Sequence, residues 1–155
     1  MAAALIVGAG DATGGAIAKA FAREGYTACV NRRARNADQL EALVQSIHAE
    51  GYAARAYPAD ARVEEEVVAM VDAIERDVGP IEVAVFNIGA NVNFSILDMT
   101  AQVYRKVWEM ACFAGFLTGR EAARYMVPRG RGKVFFTGAS ASLRGKSGYS
   151  AFAAG

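Results

Sequence analysis

The residues best able to do chemistry stand where short apolar runs end. Leu5, Ile6 and Val7 lead into Gly8, Ala9, Gly10, Asp11, Ala12, Thr13, Gly14 and Gly15, a glycine-rich turn ahead of an alanine-rich stretch. Glycines there let the backbone turn tightly and approach a pyrophosphate, while helix amides beginning near Gly14 aim positive dipole at it. The strict GxGxxG dinucleotide pattern is broken, because Thr13 occupies the third glycine position. No Lys-Ser or Lys-Thr pair follows, which excludes a P-loop.

The second apolar run ends in Asn31, Arg32, Arg33, Ala34 and Arg35. An acid at that point would accept hydrogen bonds from a ribose diol, whereas guanidinium groups suit a 2′-phosphate through charge-assisted, often bidentate bonds. With the glycine turn, Arg32 and Arg33 favour NADP over NAD as cofactor. The plain alternative is a solvated basic turn before a helix. The missing acid also counts against a methyltransferase, whose cofactor presents a ribose diol to this position. Asp60, after the third run, is placed to receive an adenine amino group or to cap the next helix. Asn87, Ile88, Gly89 and Ala90, after the fourth, make a small-residue loop against which a cofactor can lie.

These points need a scaffold that brings strand ends together. Apolar runs at Ala4 to Gly8, Thr27 to Asn31, Ala53 to Tyr57, Ile81 to Asn87 and Lys133 to Gly138 read as strands. Helical periodicity fills Gly14 to Glu24, Ala37 to Glu50, Val63 to Val78 and Thr100 to Val127. The alternation predicts a single α/β domain over residues 1–155. It is a Rossmann-type, doubly wound parallel sheet of order 3-2-1-4-5, with ligands at the carboxyl ends of its strands. In the fourth helix, Tyr104, Trp108, Cys112 and Phe116 form one stripe, and Val103, Val107, Ala111 and Gly115 another. A helix apolar around most of its girth is buried on more than one side. Little chain follows to cover it, so a partner subunit on helix 100–127, making a homo-oligomer, a truncated chain, or both are expected.

Composition is that of an ordinary compact domain: 155 residues, 54% hydrophobic, net charge +1. No apolar run reaches membrane-span length, and Met1 leads into the first strand without a basic leader, so a soluble, cytoplasmic protein is expected. Cys29 and Cys112 are read as reduced core thiols, the lone His48 as a solvated surface residue, and no metal site is expected. Charge divides unevenly, net −6 over residues 1–100 and net +7 over residues 101–155. The basic residues of the second part are spread over a helix, a turn and a loop, which argues against nucleic acid.

Together these positions resemble the short-chain dehydrogenase/reductase family, over Leu5 to Gly155. The family's TGxxxGxG turn is similar to Val7 to Gly14, with Val7 for Thr and Ala12 for the middle Gly. Arg32 stands where NAD-preferring members place their acid, Asp60 matches the adenine-contacting Asp, and Asn87 to Ala90 resembles the NNAG loop. Val107, Trp108 and Glu109 resemble the start of the helix bearing the catalytic Asn. Phe136 to Ser142 resembles the Ser-bearing segment. The resemblance implies hydride transfer between NADP and a small carbonyl or alcohol, with cofactor held by Gly8, Gly10, Ala12, Thr13, Gly14, Arg32, Arg33, Asp60, Asn87, Ile88 and Gly89.

At the catalytic positions the match breaks. The family's Asn falls on Ala111, its Ser on Ala139 and its Tyr on Phe152, while its Lys would fall just beyond Gly155. A phenyl ring cannot transfer a proton. Ser140, one residue from the Ser position, is the candidate displaced into that role, and Tyr149, three before Phe152, could substitute for the Tyr only with a rearranged loop. The expectation is therefore an oxidoreductase crippled in this form, or alternatively a catalytically silent dinucleotide-binding or oligomerising protein. In the family, further strands after this point complete the sheet and the substrate pocket.

Overall fold

The computed structural model describes all 155 residues. Strands β1 (Ala3–Val7), β2 (Thr27–Arg32), β3 (Ala54–Pro58), β4 (Ile81–Phe86) and β5 (Lys133–Phe136) pair in parallel in the order β3-β2-β1-β4-β5. Helices α1 (Thr13–Arg23), α2 (Ala37–Ala49) and α3 (Glu64–Asp77) connect the first four. A long segment made of α4 (Ala101–Trp108), a π turn (Glu109–Phe113) and α5 (Ala114–Arg129) leads to β5. Short helices α6 (Ser140–Leu143) and α7 (Ser150–Ala154) follow. The expected order 3-2-1-4-5 is observed.

Strand alternation builds two cores. Leu5 and Val7 of β1, with Cys29, Ile81 and Phe86, pack on Val67, Val71 and Ile74 of α3 and Leu117 of α5. Ala4 and Ile6, with Val30, Val83 and Val85, face the opposite way onto Ala18 of α1 and Leu40, Val44 and Ile47 of α2. Central β1 is buried along its whole length, which is why it reads as an uninterrupted apolar run. Such a strand gives side chains to both cores and locks the sheet from its middle.

The two sheet edges differ. β3 carries exposed Arg55 and ends at Pro58, whereas β5 presents exposed Phe135 and Phe136. The helix expected over Thr100 to Val127 is divided by the π turn and runs on through Pro128 to Arg129, closed by Gly130 in the left-handed conformation. Cys112, expected in the core, is exposed; only Cys29 is buried, and burial pushes its thiol up to about 12. Asp60 does not cap α3: Val63 holds that position.

The outward stripe of α4 and α5 is uncovered, with Tyr104, Trp108 and Phe116 exposed while Val107, Gly115 and Leu117 turn inward. Trp108 stacks on Phe113 at 5.6 Å, and Phe113 on Phe116 at 6.3 Å between ring centroids. The uneven charge of the chain is resolved by pairing between its parts. Arg120 of α5 reaches Glu64 of α3 at 2.5 Å, Arg129 reaches Glu75 at 2.6 Å, and Arg131 pairs with Glu82. His48 is exposed and its Nε2 lies 3.0 Å from the Ala54 carbonyl, tying the end of α2 to β3.

Candidate functional site

A cleft of about 250 Å³ opens at the carboxyl ends of β1, β2, β3 and β4. Its floor is the turn after β1. Gly8 has φ +86°, and a Cβ there would lie 2.8 Å from the Asn87 carbonyl oxygen and 2.8 Å from Ile88 Cγ1, so a side chain would separate the β1 and β4 exits. A Cβ on Gly14 would collide with the Gly8 carbonyl and sit 2.7 Å from Ala9 Cα. Gly10 is the opposite case: a Cβ would meet nothing within 4 Å, and this space faces the cleft.

The loop is held by its neighbours. The Asn31 carbonyl accepts from the amides of Gly8 at 3.1 Å and Ala9 at 3.0 Å, and Gly15 N donates to the Gly10 carbonyl at 2.7 Å. Asn31, almost fully buried, donates through Nδ2 to the carbonyls of Tyr57 at 2.8 Å and Ala59 at 3.0 Å. The amides of Ala12, Thr13 and Gly14 donate to no carbonyl, and Ala12 at the helix start supplies no capping side chain. A helix N-terminus left uncapped beside an open space fits an anionic group. The residues present therefore fit a dinucleotide pyrophosphate.

Three guanidiniums line the cleft. Arg32 Nη1 pairs with Asp11 Oδ1 at 3.1 Å. Arg62 clasps Asp60, with Nε 2.9 Å from Oδ1 and Nη2 2.6 Å from Oδ2, and the Arg62 amide donates to Oδ1 at 3.0 Å. The Arg62 guanidinium holds the Asp60 carboxyl below its ordinary range, and Arg33 adds to the effect. Arg33 itself lines the cleft and pairs with no carboxylate. Asn87 closes the far side, donating through Nδ2 to the Gly8 carbonyl at 3.3 Å, with Ile88 and Gly89 beside it.

Of the sequence-predicted cofactor residues, Gly8, Gly10, Arg32, Arg33, Asp60, Asn87, Ile88 and Gly89 line this cleft. Ala12 and Thr13 are exposed at the start of α1, and Gly14 is buried beneath the loop. Asn31, Asn36, Arg62 and Met110 belong to the cleft as well. Asn31 had a readable signal, a polar residue at the end of an apolar strand. Arg62 and Met110 had none, since an isolated arginine or methionine is ordinary surface or filler.

Next to it lies a larger cavity of about 490 Å³, shared through Asn87, Ile88 and Gly89. Ala111, Ala139 and Phe152 meet there, with Phe116, Phe136, Cys112, Thr137 and Ser142. Residues distant in sequence thus converge, and three of them are apolar where the resemblance calls for amide or hydroxyl. Ser142 Oγ donates to the Ala139 carbonyl at 2.6 Å. Ser140 and Tyr149 come together elsewhere, on a separate cavity of about 480 Å³ with Arg144 and Lys146, which shares Phe152 with the 490 Å³ cavity. Lys146 Nζ lies 5.2 Å from the Tyr149 ring centroid.

The family described as short chain dehydrogenase matches residues 2–155. A crystal structure of a short-chain dehydrogenase from Rhodopseudomonas palustris superposes with TM-score 0.92 at 54% identity, covering 98% of this chain and 70% of that one. Gluconate 5-dehydrogenase of Gluconobacter oxydans (strain 621H) is 34% identical over 131 residues, 84% of this chain and 50% of its own length. NAD+-bound xylitol dehydrogenase superposes with TM-score 0.91 at 27% identity, covering 97% of this chain and 58% of the other. The chain spans about half the length of the curated relatives it matches.

Proposed function

We propose, since this chain belongs to the short-chain dehydrogenase family, that it binds NADP as the cofactor part of an oxidoreductase acting on a small carbonyl or alcohol. The observation that carries the cofactor choice is Arg33, a guanidinium at the mouth of the dinucleotide cleft with no carboxylate of its own. A 2′-phosphate is the ligand group that matches it in charge and geometry. Gly10 and the free amides of Ala12 to Gly14 would hold the pyrophosphate, Asp60 the adenine, and Asn87 to Gly89 the nicotinamide side. When bound, the nicotinamide supplies or accepts hydride. Fluorescence titration with NADPH and NADH tests the choice: tighter NADPH binding supports it, and equal affinity overturns it.

Gluconate 5-dehydrogenase and xylitol dehydrogenase carry polyhydroxylated substrates in their names, which supports a polyol or sugar acid here. Ser140 and Tyr149 are the hydroxyls proposed for any proton transfer. The uncovered stripe of Tyr104, Trp108 and Phe116 supports self-association, since exposed apolar patches mark interaction surfaces. Two free thiols suit a reducing compartment such as the cytoplasm. No helix is long and apolar enough to cross a membrane.

A second reading is favoured by the cavity of Ala111, Ala139 and Phe152: a dinucleotide-binding protein without catalysis, acting by association. Binding of NADPH without its oxidation across a panel of aldehydes and ketones would select this reading.

A further inference from the structure

Asp11 sits in the glycine turn itself, and its carboxylate does not point away from the site. Its Oδ1 is 3.1 Å from Nη1 of Arg32, which lines the cleft. The two ends of this pair differ sharply in environment: the Arg32 side chain is 21% exposed and the Asp11 side chain 81% exposed. The guanidinium is therefore seated in the cleft wall, and the carboxylate reaches it from solvent. Arg62 is likewise committed to Asp60. Of the three cleft arginines, two are neutralised by a neighbouring acid and Arg33 is not.

We propose that Asp11 is a specificity-determining residue for the cofactor: by holding Arg32 in an ion pair, it weakens recognition of a 2′-phosphate and leaves that task to Arg33. The inference rests on the reading that a dinucleotide occupies this cleft. A 2′-phosphate drawing on Arg32 must share it with, or displace, a carboxylate of its own sign. A ribose diol faces no such contest, because it brings no charge. An exposed ion pair is weak, so the opposition is modest and falls as salt screens it. Asp11 thus tempers the preference for NADP and brings the two cofactors closer in affinity.

The test is a set of titrations on the 155-residue chain with NADPH, NADH, 2′,5′-ADP and 5′-AMP. In Asp11→Asn, the ratio of NADPH to NADH affinity should rise about three- to fivefold at low salt. The ratio for 2′,5′-ADP over 5′-AMP should follow, and both gains should shrink at high salt. In the Asp11→Asn, Arg32→Ala double variant, the gain relative to Arg32→Ala alone should vanish. An unchanged ratio in Asp11→Asn, or a gain that persists in full without Arg32, would overturn the role. If the unmutated chain shows no NADPH preference but Asp11→Asn creates one, the cofactor reading falls and this one stands. If the preference exists and Asp11→Asn leaves it unmoved, the reverse holds. A chain that binds none of the four probes overturns both.

Discussion

The side-chain amide of Asn87 donates to the Gly8 carbonyl at 3.3 Å, binding the exit of β4 to the exit of β1 across 79 residues of sequence. With Gly8 at φ +86° and no room for a Cβ, this bond helps set the angle at which the glycine turn leaves the sheet. Asn87→Ala should lower stability by about 1 kcal/mol and weaken NADPH binding several-fold. Thermal melts with and without NADPH check it; a variant melting and binding like the unmutated protein would remove Asn87 from the positioning role.

The cleft arginines should not be equivalent. Because Asp11 already holds Arg32, Arg33→Ala should cost more NADPH affinity than Arg32→Ala, about tenfold on the usual strength of a charged hydrogen bond. Removing both should abolish any difference between NADPH and NADH. Calorimetric titration of the three variants reads the order directly.

Carbonyl reduction by this chain should be slight even when NADPH is saturating. Ala111, Ala139 and Phe152 themselves bring no proton-transferring group to the cavity they share, and general acid-base assistance is typically worth about 10²- to 10⁴-fold. Phe152→Tyr alone should not rescue it, since a phenol titrating at about 10 stays protonated at neutral pH without a cation beside it. Rapid NADPH oxidation that is lost in Ser140→Ala or Tyr149→Phe would place the proton transfer on the neighbouring cavity instead.

One thiol should react with an alkylating reagent in the folded protein, at Cys112, and two after denaturation. Cys29 also gives a pH dependence. Its folded value of about 12 lies above its ordinary 9.0 because burial disfavours the thiolate. The folded state therefore keeps a proton that the unfolded chain loses between these values. The contribution is full below the unfolded value and is lost as pH rises through the folded one. Cys29→Ala should flatten the fall in melting temperature over that alkaline range.

Self-association should be visible in sedimentation at micromolar concentration, through Tyr104, Trp108 and Phe116. Trp108→Glu should shift the protein toward monomer without loss of NADPH binding, because Trp108 does not line the cleft at the carboxyl ends of β1 to β4. A monomer in the unmutated protein would remove this surface from consideration.

Much of the scaffold was legible because parallel strands buried on both faces read as apolar runs, as Ala3 to Val7 does. The turn from Gly8 to Gly14 was legible because close backbone approach leaves glycine as its mark. The π turn at Glu109–Phe113 was not: a shift of hydrogen-bond partner by one residue leaves the side-chain pattern nearly intact. Nor was the engagement of the acids. Asp60 reads equally well as a cap or an adenine contact, and only the folded chain shows Arg62 clasping it. The long-range pairing of Arg120 with Glu64 and Arg129 with Glu75 shows the same limit: charge totals are readable, partners are not.

The unequal margins of the sheet give it a direction of growth. On the β3 side, Pro58 has no amide hydrogen to offer an incoming backbone, and Arg55 stands exposed on the same strand, both devices that discourage pairing. On the β5 side, Lys133 to Phe136 present an outer row of backbone groups unclaimed by any strand, flanked by two exposed phenyl rings. Any backbone recruited into the sheet would be templated there, and a covering segment would have to shield two aromatic rings as well as satisfy the ladder. The fold is thus terminated on one margin and extensible on the other.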